Sequence, residues 1–126
     1  MSEVNIKIAI ADDHNLVLES YKELMKKFEF EVIIEGKNGK ELIDQIEAFP
    51  CLPDVCIIDG QMPIMDGCET AKIVKSKWKT IKIIGFSLDE KYERKMLKSG
   101  ADCFLLKDCP SEILRQTIIN LTGNNQ

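Results

Sequence analysis

No run of Lys or Arg in this chain is long enough to form a nucleic-acid-binding surface, and the formal net charge is −4. The most basic stretch, "KIVKSKWKT", reads as a solvated helix end. No apolar run approaches the roughly 20 residues of a membrane span, so no membrane association is expected. The opening residues, "MSEVNIKIAI", lack the charged start, long apolar core and small-residue cleavage site of a secretory signal. Cys-x-x-Cys is absent, the five cysteines are an odd number, and there is a single His, which argues against a zinc site or a disulfide framework. Cys51, Cys56, Cys68, Cys103 and Cys109 therefore read as reduced thiols, and a cytoplasmic location is expected. Repeats, low-complexity tracts and internal linkers are also missing.

What is present fits one domain. The 126 residues are 44% hydrophobic and 30% charged, enough to bury a core without disulfides or a structural metal. Short apolar runs alternate with segments of helical period. The runs "IKIAIA" (6–11), "EVIIEG" (31–36), "DVCIID" (54–59), "IKIIGF" (81–86) and "CFLL" (103–106) predict strands. Between them Val17, Tyr21, Leu24 and Phe28 recur at helical spacing. Leu42, Ile43 and Ile46 form a second stripe, and Ala71, Val74 and Trp78 a third. Tyr92, Met96 and Leu97 make a shorter fourth, and a fifth runs from Ile113 to Leu121. Asn38 and Ser111 are expected to cap helices, Gly36, Gly39 and Gly100 to punctuate loops, and Asp66-Gly67 to cap and turn.

Five β-α units imply an α/β fold: a doubly wound, five-stranded parallel sheet with helices on both faces. Right-handed crossovers favour the order 2-1-3-4-5, the flavodoxin-like (βα)5 arrangement. Ligands in such sheets bind at the carboxyl ends of the strands, where the winding reverses. There the first strand ends in Asp12-Asp13, the third in Asp59, the fourth in Ser87, and the fifth in Lys107. Three acids, a hydroxyl and an amine on one rim predict a site. Two unit charges about 4 Å apart repel by roughly 4 kcal/mol at an effective dielectric near 20. Clustered carboxylates thus call for a cation, and Mg²⁺ suits carboxylates, a backbone carbonyl, waters and a phosphate oxygen. Asp13, Asp59 and the Gln61 carbonyl are the expected direct ligands, with Asp12 acting through water. One carboxylate would then serve as nucleophile toward a phosphoryl donor, giving an acyl phosphate. Ser87 would hydrogen-bond the phosphoryl group and Phe104 would report the change by altering its rotamer. His14 is expected as a helix-start residue with a solvated ring, the alternative being a phosphate contact.

The motifs "IAIADDH", "DGQMPIMDG", "GFS" and "LLKD" fall in this order and together resemble the receiver domain of bacterial two-component response regulators. The resemblance covers almost the whole chain. It implies Asp59 as phosphoacceptor, Asp12 and Asp13 as Mg²⁺ acids, and Ser87, Lys107 and Phe104 as the switch hydroxyl, lysine and aromatic. It implies that Gln61, Leu88 and Asp89 tune loss of phosphate, and that Leu88, bulkier than the usual small residue, narrows access. It also implies a sensor histidine kinase as partner and a homodimer formed on phosphorylation. The stretches "IAIADDHNLVLES", "NGKELI" and "LLKD" look like the LuxR/NarL-type transcription factors, whose helix-turn-helix domain follows a short linker. Residues 1–122 are then expected to form the receiver. Residues 123–126 would be a tail or the start of a linker to a C-terminal output domain through which DNA is bound.

Two rival functions follow from the same residues. One is a Mg²⁺-dependent phosphohydrolase, against which stands "GQM" after Asp59, with no second acid two residues on. The other is a pseudo-receiver that binds a partner without phosphorylation, which would be expected to lack an acid, the hydroxyl or the lysine. The expectation is a switch with self-phosphorylation and slow self-dephosphorylation chemistry only, not an enzyme.

Overall fold

Alternate residues of the strand runs face opposite helix layers, which is why the runs are apolar throughout. The computed structural model describes residues 5–123. Strands β1 (Lys7–Ala11), β2 (Glu31–Gly36), β3 (Val55–Asp59), β4 (Lys82–Ser87) and β5 (Cys103–Leu106) form one parallel sheet in the order β2-β1-β3-β4-β5. The expected flavodoxin-like order is the observed one. Between and after the strands lie α1 (Asn15–Lys27), α2 (Gly39–Ala48), α3 (Gly67–Lys77), α4 (Glu93–Ser99) and α5 (Ser111–Thr122).

Ile8 and Ile10 of β1, with Val55 and Ile57 of β3, pack under Leu18 and Met25 of α1 and Leu114 and Ile118 of α5. Their neighbours Ala9, Ala11, Cys56 and Ile58 face the other way, into a core closed by α2, α3 and Met96 of α4. The sheet is covered on both faces, and only the strand ends are left to carry polar chemistry.

Three local expectations shift. The buried line of α1 is Leu18 and Met25, with Tyr21, Leu24 and Phe28 half-buried beside it. Apolar residues cover a wide arc of that helix, and the side of the arc carrying Leu18 and Met25 is the most deeply buried. Asn38 does cap α2, its side chain accepting from the Glu41 N–H, but Gly39 is already the first residue of that helix. Ser111 is likewise inside α5, and the cap position belongs to Pro110, which ends the preceding loop with no side-chain bond. Gly123 closes α5 in the left-handed conformation at φ 72°. The rest of the expected tail, 124–126, lies outside the described residues.

The loop from β3 to α3 is held tightly. Asp66 caps α3 by accepting from the Glu69 N–H at 2.9 Å. Gly67 lies so close to the end of β3 that a β-carbon on it would sit 2.2 Å from the Asp59 carbonyl oxygen. Between them Met65 N–H donates to Pro63 O at 2.6 Å, a three-residue turn around Ile64 at φ 69°. A β-branched residue is strained there, at a cost on the order of 1–3 kcal/mol. Ile64 is 78% exposed, so its side chain recovers little by burial. Ile64→Gly is therefore expected to raise the unfolding free energy by about 1 kcal/mol after the entropic cost of glycine. Urea denaturation measures this, and an unchanged or lower midpoint would remove the strain assignment.

Candidate functional site

The carboxyl edge brings the strand-end residues into one cleft of about 530 Å³. Asp13, Asp59, Ser87 and Lys107 line it. Asp12 lies beneath, 2% exposed, and Asp59 and Ser87 are nearly as deep. Parallel register explains the gathering: Ala11 pairs with Ile58, Asp59 with Phe86 and Ser87 with Leu106, so the four strands end level with one another.

Lys107 binds the acids together. Its Nζ lies 2.6 Å from Asp12 Oδ2 and 3.4 Å from Asp59 Oδ1, and its side chain is only 8% exposed. Its backbone N–H donates to Ser87 O at 2.8 Å, which fixes the turn out of β5 against the end of β4. Asp59 Oδ1 also faces the Gln61 N–H at 3.5 Å. Burial pushes the Asp59 carboxyl above its ordinary range; Lys107 opposes the shift and the Asp12 charge adds to it. Under the rim, Tyr21 of α1 packs its ring against Phe86 at 5.1 Å. Burial, then the charges of Asp12, Cys109 and Asp59, push its phenol up to about 12.

His14 is closer to the acids than a solvated helix start requires. Its ring is 65% exposed, yet Nδ1 lies 3.2 Å from one oxygen of each of Asp12 and Asp13. Its N–H donates to Asp12 Oδ1 at 3.0 Å. One ligand atom from each of Asp12, Asp13, His14 and Asp59 falls within 4.8 Å of the others. Asp13 Oδ1, the oxygen that His14 Nδ1 approaches, is among the described residues a buried side-chain atom that accepts no hydrogen bond. A buried carboxylate oxygen that accepts no hydrogen bond is costly unless a cation meets it. That oxygen, beside two further acids, fits a hard divalent ion.

The remaining expected residues divide. Gln61, Leu88 and Asp89 line the cleft, but Leu88 is 78% exposed and borders the mouth rather than filling it. The Asp89 N–H donates to Ser87 Oγ at 3.2 Å, and Asp89 Oδ1 accepts from the Lys91 N–H at 2.9 Å. Phe104 is not part of the lining. It pairs with Gly85 across the sheet and packs half-buried on the core of α2, α3 and α4. Tyr92, by contrast, does line the cleft. Sequence reading placed it in a core stripe, where its place beside Met96 in the helical pattern hid the loop contact.

The chain matches the response regulator receiver domain model over residues 8–119. It is 31% identical over 121 residues to the transcriptional regulatory protein DegU of Brevibacillus brevis, covering 94% of this chain and 50% of that one. It is 33% identical over 112 residues to the nitrate/nitrite response regulator NarL of Escherichia coli K12, covering 86% and 51%. The chain thus spans about half the length of these relatives. A DNA-binding response regulator of the LuxR family from Staphylococcus aureus superposes with a TM-score of 0.84 at 28% identity, covering 93% of this chain and 98% of that one. Family match, LuxR/NarL-type relatives and fold agree with the level row of acids, hydroxyl and lysine at the sheet edge: the chain belongs to the response regulator receiver domain family.

Proposed function

We propose that this receiver is a phosphorylation switch with Asp59 as the acceptor. The observation that carries the reading is the buried Asp59 carboxylate, held by Lys107 and opening into a cleft beside a buried Asp13 oxygen that accepts no hydrogen bond. Asp12, Asp13, Asp59 and the Gln61 carbonyl would hold Mg²⁺, which when bound offsets the charge of the acids and of an incoming phosphoryl group. Asp59, ionised, attacks phosphorus with one carboxylate oxygen. The bond from phosphorus to the donor atom breaks, its electron pair leaves with the donor, and an acyl phosphate remains. The Lys107 ammonium neutralises phosphoryl oxygen charge. Ser87, whose Oγ already accepts from Asp89, keeps a hydrogen to donate to the phosphoryl group. Phe104 follows by taking up space on the β4–β5 side, and Gln61, Leu88 and Asp89, at the mouth, govern water access and hence the lifetime of the phosphate.

The donor this reading requires is a phosphohistidine on a sensor histidine kinase. Leu16, Ile64 and Leu88 stand 84%, 78% and 78% exposed on segments that leave the same sheet edge, which favours a protein as donor. Residues 1–122 form the switch. The relatives are about twice as long as the stretch matched, which supports a further output domain. In this reading that domain is a helix-turn-helix through which DNA is bound, and a phosphorylation-dependent homodimer is the active form. Among the described residues no helix is long and apolar enough to cross a membrane. Receivers of this family are signalling modules rather than enzymes, and here the residue two beyond the acceptor is Gln61, which cannot serve as a general acid.

Intact mass after incubation with acetyl phosphate and Mg²⁺ tests the reading. A single phosphate adduct is expected on the wild type, absent from Asp59→Asn and lost with EDTA. Because small donors do not serve every receiver, beryllofluoride binding runs beside it. No adduct together with no Mg²⁺-dependent beryllofluoride binding would leave a phosphorylation-independent interaction module. Steady phosphate release from many small esters would point to a phosphohydrolase.

The charge balance makes a second prediction. A carboxyl whose folded-state pKa is raised binds its proton more tightly in the folded chain than in the unfolded one. Ionisation of Asp59 therefore weakens the fold. The penalty is absent below the ordinary carboxylate value of 3.8, sets in above it, and is complete once pH passes the folded-state value. Asp59→Asn should melt a few degrees above the wild type at pH 7, with the gap narrowing as pH falls toward 4. Mg²⁺ should raise the melting temperature of the wild type more than that of the variant. A gap that widens in acid, or no gap at pH 7, would contradict the proposed burial penalty.

A further inference from the structure

Residue 60 follows the acceptor carboxylate and has no side chain; the ring of Tyr92 takes its place. A β-carbon on Gly60 would lie 2.9 Å from Tyr92 Cγ, 3.1 Å from its Cβ and 3.3 Å from Cδ1. These are closer than packed carbons come, so ring and methyl cannot share the space. Gly60 is held on both sides. Its N–H donates to Phe86 O at 3.3 Å and its carbonyl accepts from the Gly67 N–H at 3.1 Å. Any yielding must come from Tyr92.

Tyr92 reaches Gly60 from across the cleft. It ends the 3-10 turn Glu90–Tyr92, and α4 starts at the next residue, Glu93. The start of that turn is tied to the switch hydroxyl. The Asp89 N–H donates to Ser87 Oγ, Asp89 Oδ1 accepts from the Lys91 N–H, and the Tyr92 N–H donates to Asp89 O at 3.3 Å. This short segment therefore has two anchors, the Ser87 hydroxyl at one end and the α-carbon beside Asp59 at the other. The far side of the ring rests on the buried core of α2, α3 and α4. Movement of the ring is thus coupled to the first turn of α4.

We propose that Tyr92, by bearing on the bare backbone of Gly60, is the positioning residue that passes the state of Asp59 to α4. The inference rests on the phosphorylation reading of Asp59. When Ser87 swings its hydroxyl toward a group on Asp59, its oxygen moves, and the Asp89 N–H bonded to that oxygen carries the turn with it. The ring then slides over Gly60, where no side chain blocks it, and the start of α4 follows. A polar core contact is not needed, because packed rings have discrete positions rather than a continuous give.

Hydrogen exchange of Glu93–Ser99, with and without Mg²⁺ and beryllofluoride, tests the coupling. Beryllofluoride occupancy is followed on the same samples by fluorine NMR. In the wild type, binding should alter exchange in α4 severalfold, and Tyr92→Phe, which keeps the ring, should do the same. Tyr92→Ala should bind beryllofluoride and lose most of the α4 response. Gly60→Ala should show altered α4 exchange before any beryllofluoride is added, because the methyl displaces the ring. A Tyr92→Ala variant that binds and keeps the full response would overturn the inference. So would a Gly60→Ala variant whose α4 exchange matches the wild type in both conditions, which covers the case of a poorly folded Tyr92→Ala. Failure of the wild type itself to bind beryllofluoride would instead bring down the phosphorylation reading, and the coupling with it.

Discussion

The ammonium of Lys107 is the contact on which the site depends. It sits 2.6 Å from Asp12 and 3.4 Å from Asp59, with all three side chains almost fully out of water. Removing the ammonium from such a group typically costs about 3–5 kcal/mol, because the acid charges left behind stay buried. Yet one cation faces three acids, and the remaining deficit is visible in the structure. His14 leans its ring onto Asp12 and Asp13, yet Asp13 Oδ1 still accepts no hydrogen bond. Partial neutralisation is what makes the site stable enough to fold and still able to take a further cation.

The fold dictates where that cluster stands. Both faces of β1 and β3 are sealed by helices, so a charged residue within either strand would be buried with no partner. Only the last residues of the strands and those just past them can carry the polar chemistry. The order β2-β1-β3-β4-β5 then sets β1, β3, β4 and β5 side by side, and their terminal residues become neighbours without further specification. Close approach of Gly67 to the Asp59 carbonyl locks α3 onto the end of β3 and keeps Asp59 from drifting.

This logic explains which parts could be read from the sequence. Strand runs, their order and the row of end residues follow from burial and from one-dimensional periodicity, and the acids, Ser87 and Lys107 stand together as expected. What the pattern could not supply was any contact set by a loop's path. Tyr92 fits the α4 stripe by spacing, but the 3-10 turn before that helix tips its ring onto Gly60, a residue 32 positions back in the chain. His14 has the ordinary look of a helix start, and only the turn of the chain after β1 lays its ring on the acids. The α1 stripe held in part: Tyr21, Leu24 and Phe28 pack against the sheet, but with apolar residues spread over a wide arc, spacing alone does not say which side lies deepest, and Leu18 and Met25 take that place. Ser111 is the first residue of α5 and Pro110 stands at the cap with no side-chain bond, a one-residue offset that spacing does not resolve.

A switch needs two arrangements close in free energy, and a ligand can favour one only by what it gains there over the other. In the present arrangement Ser87 Oγ is engaged with Asp89, and the Asp59 carboxylate bears a burial penalty that Lys107 only partly offsets. Those two features oppose each other. The Ser87–Asp89 bond favours keeping the loop as it is, while the penalty at Asp59 favours whatever brings further positive charge or hydrogen-bond donors to that oxygen. In the proposed switch, a phosphoryl group on Asp59 would form a mixed anhydride and move the negative charge outward, to oxygens that Ser87 and Lys107 can meet. The hydroxyl would then gain a charge-assisted bond, roughly twice as strong as the neutral one it accepts from Asp89. That gain, on the order of 1 kcal/mol, is a bias that a short turn anchored only at its two ends can follow. A longer or more deeply packed connection between Ser87 and α4 would absorb it.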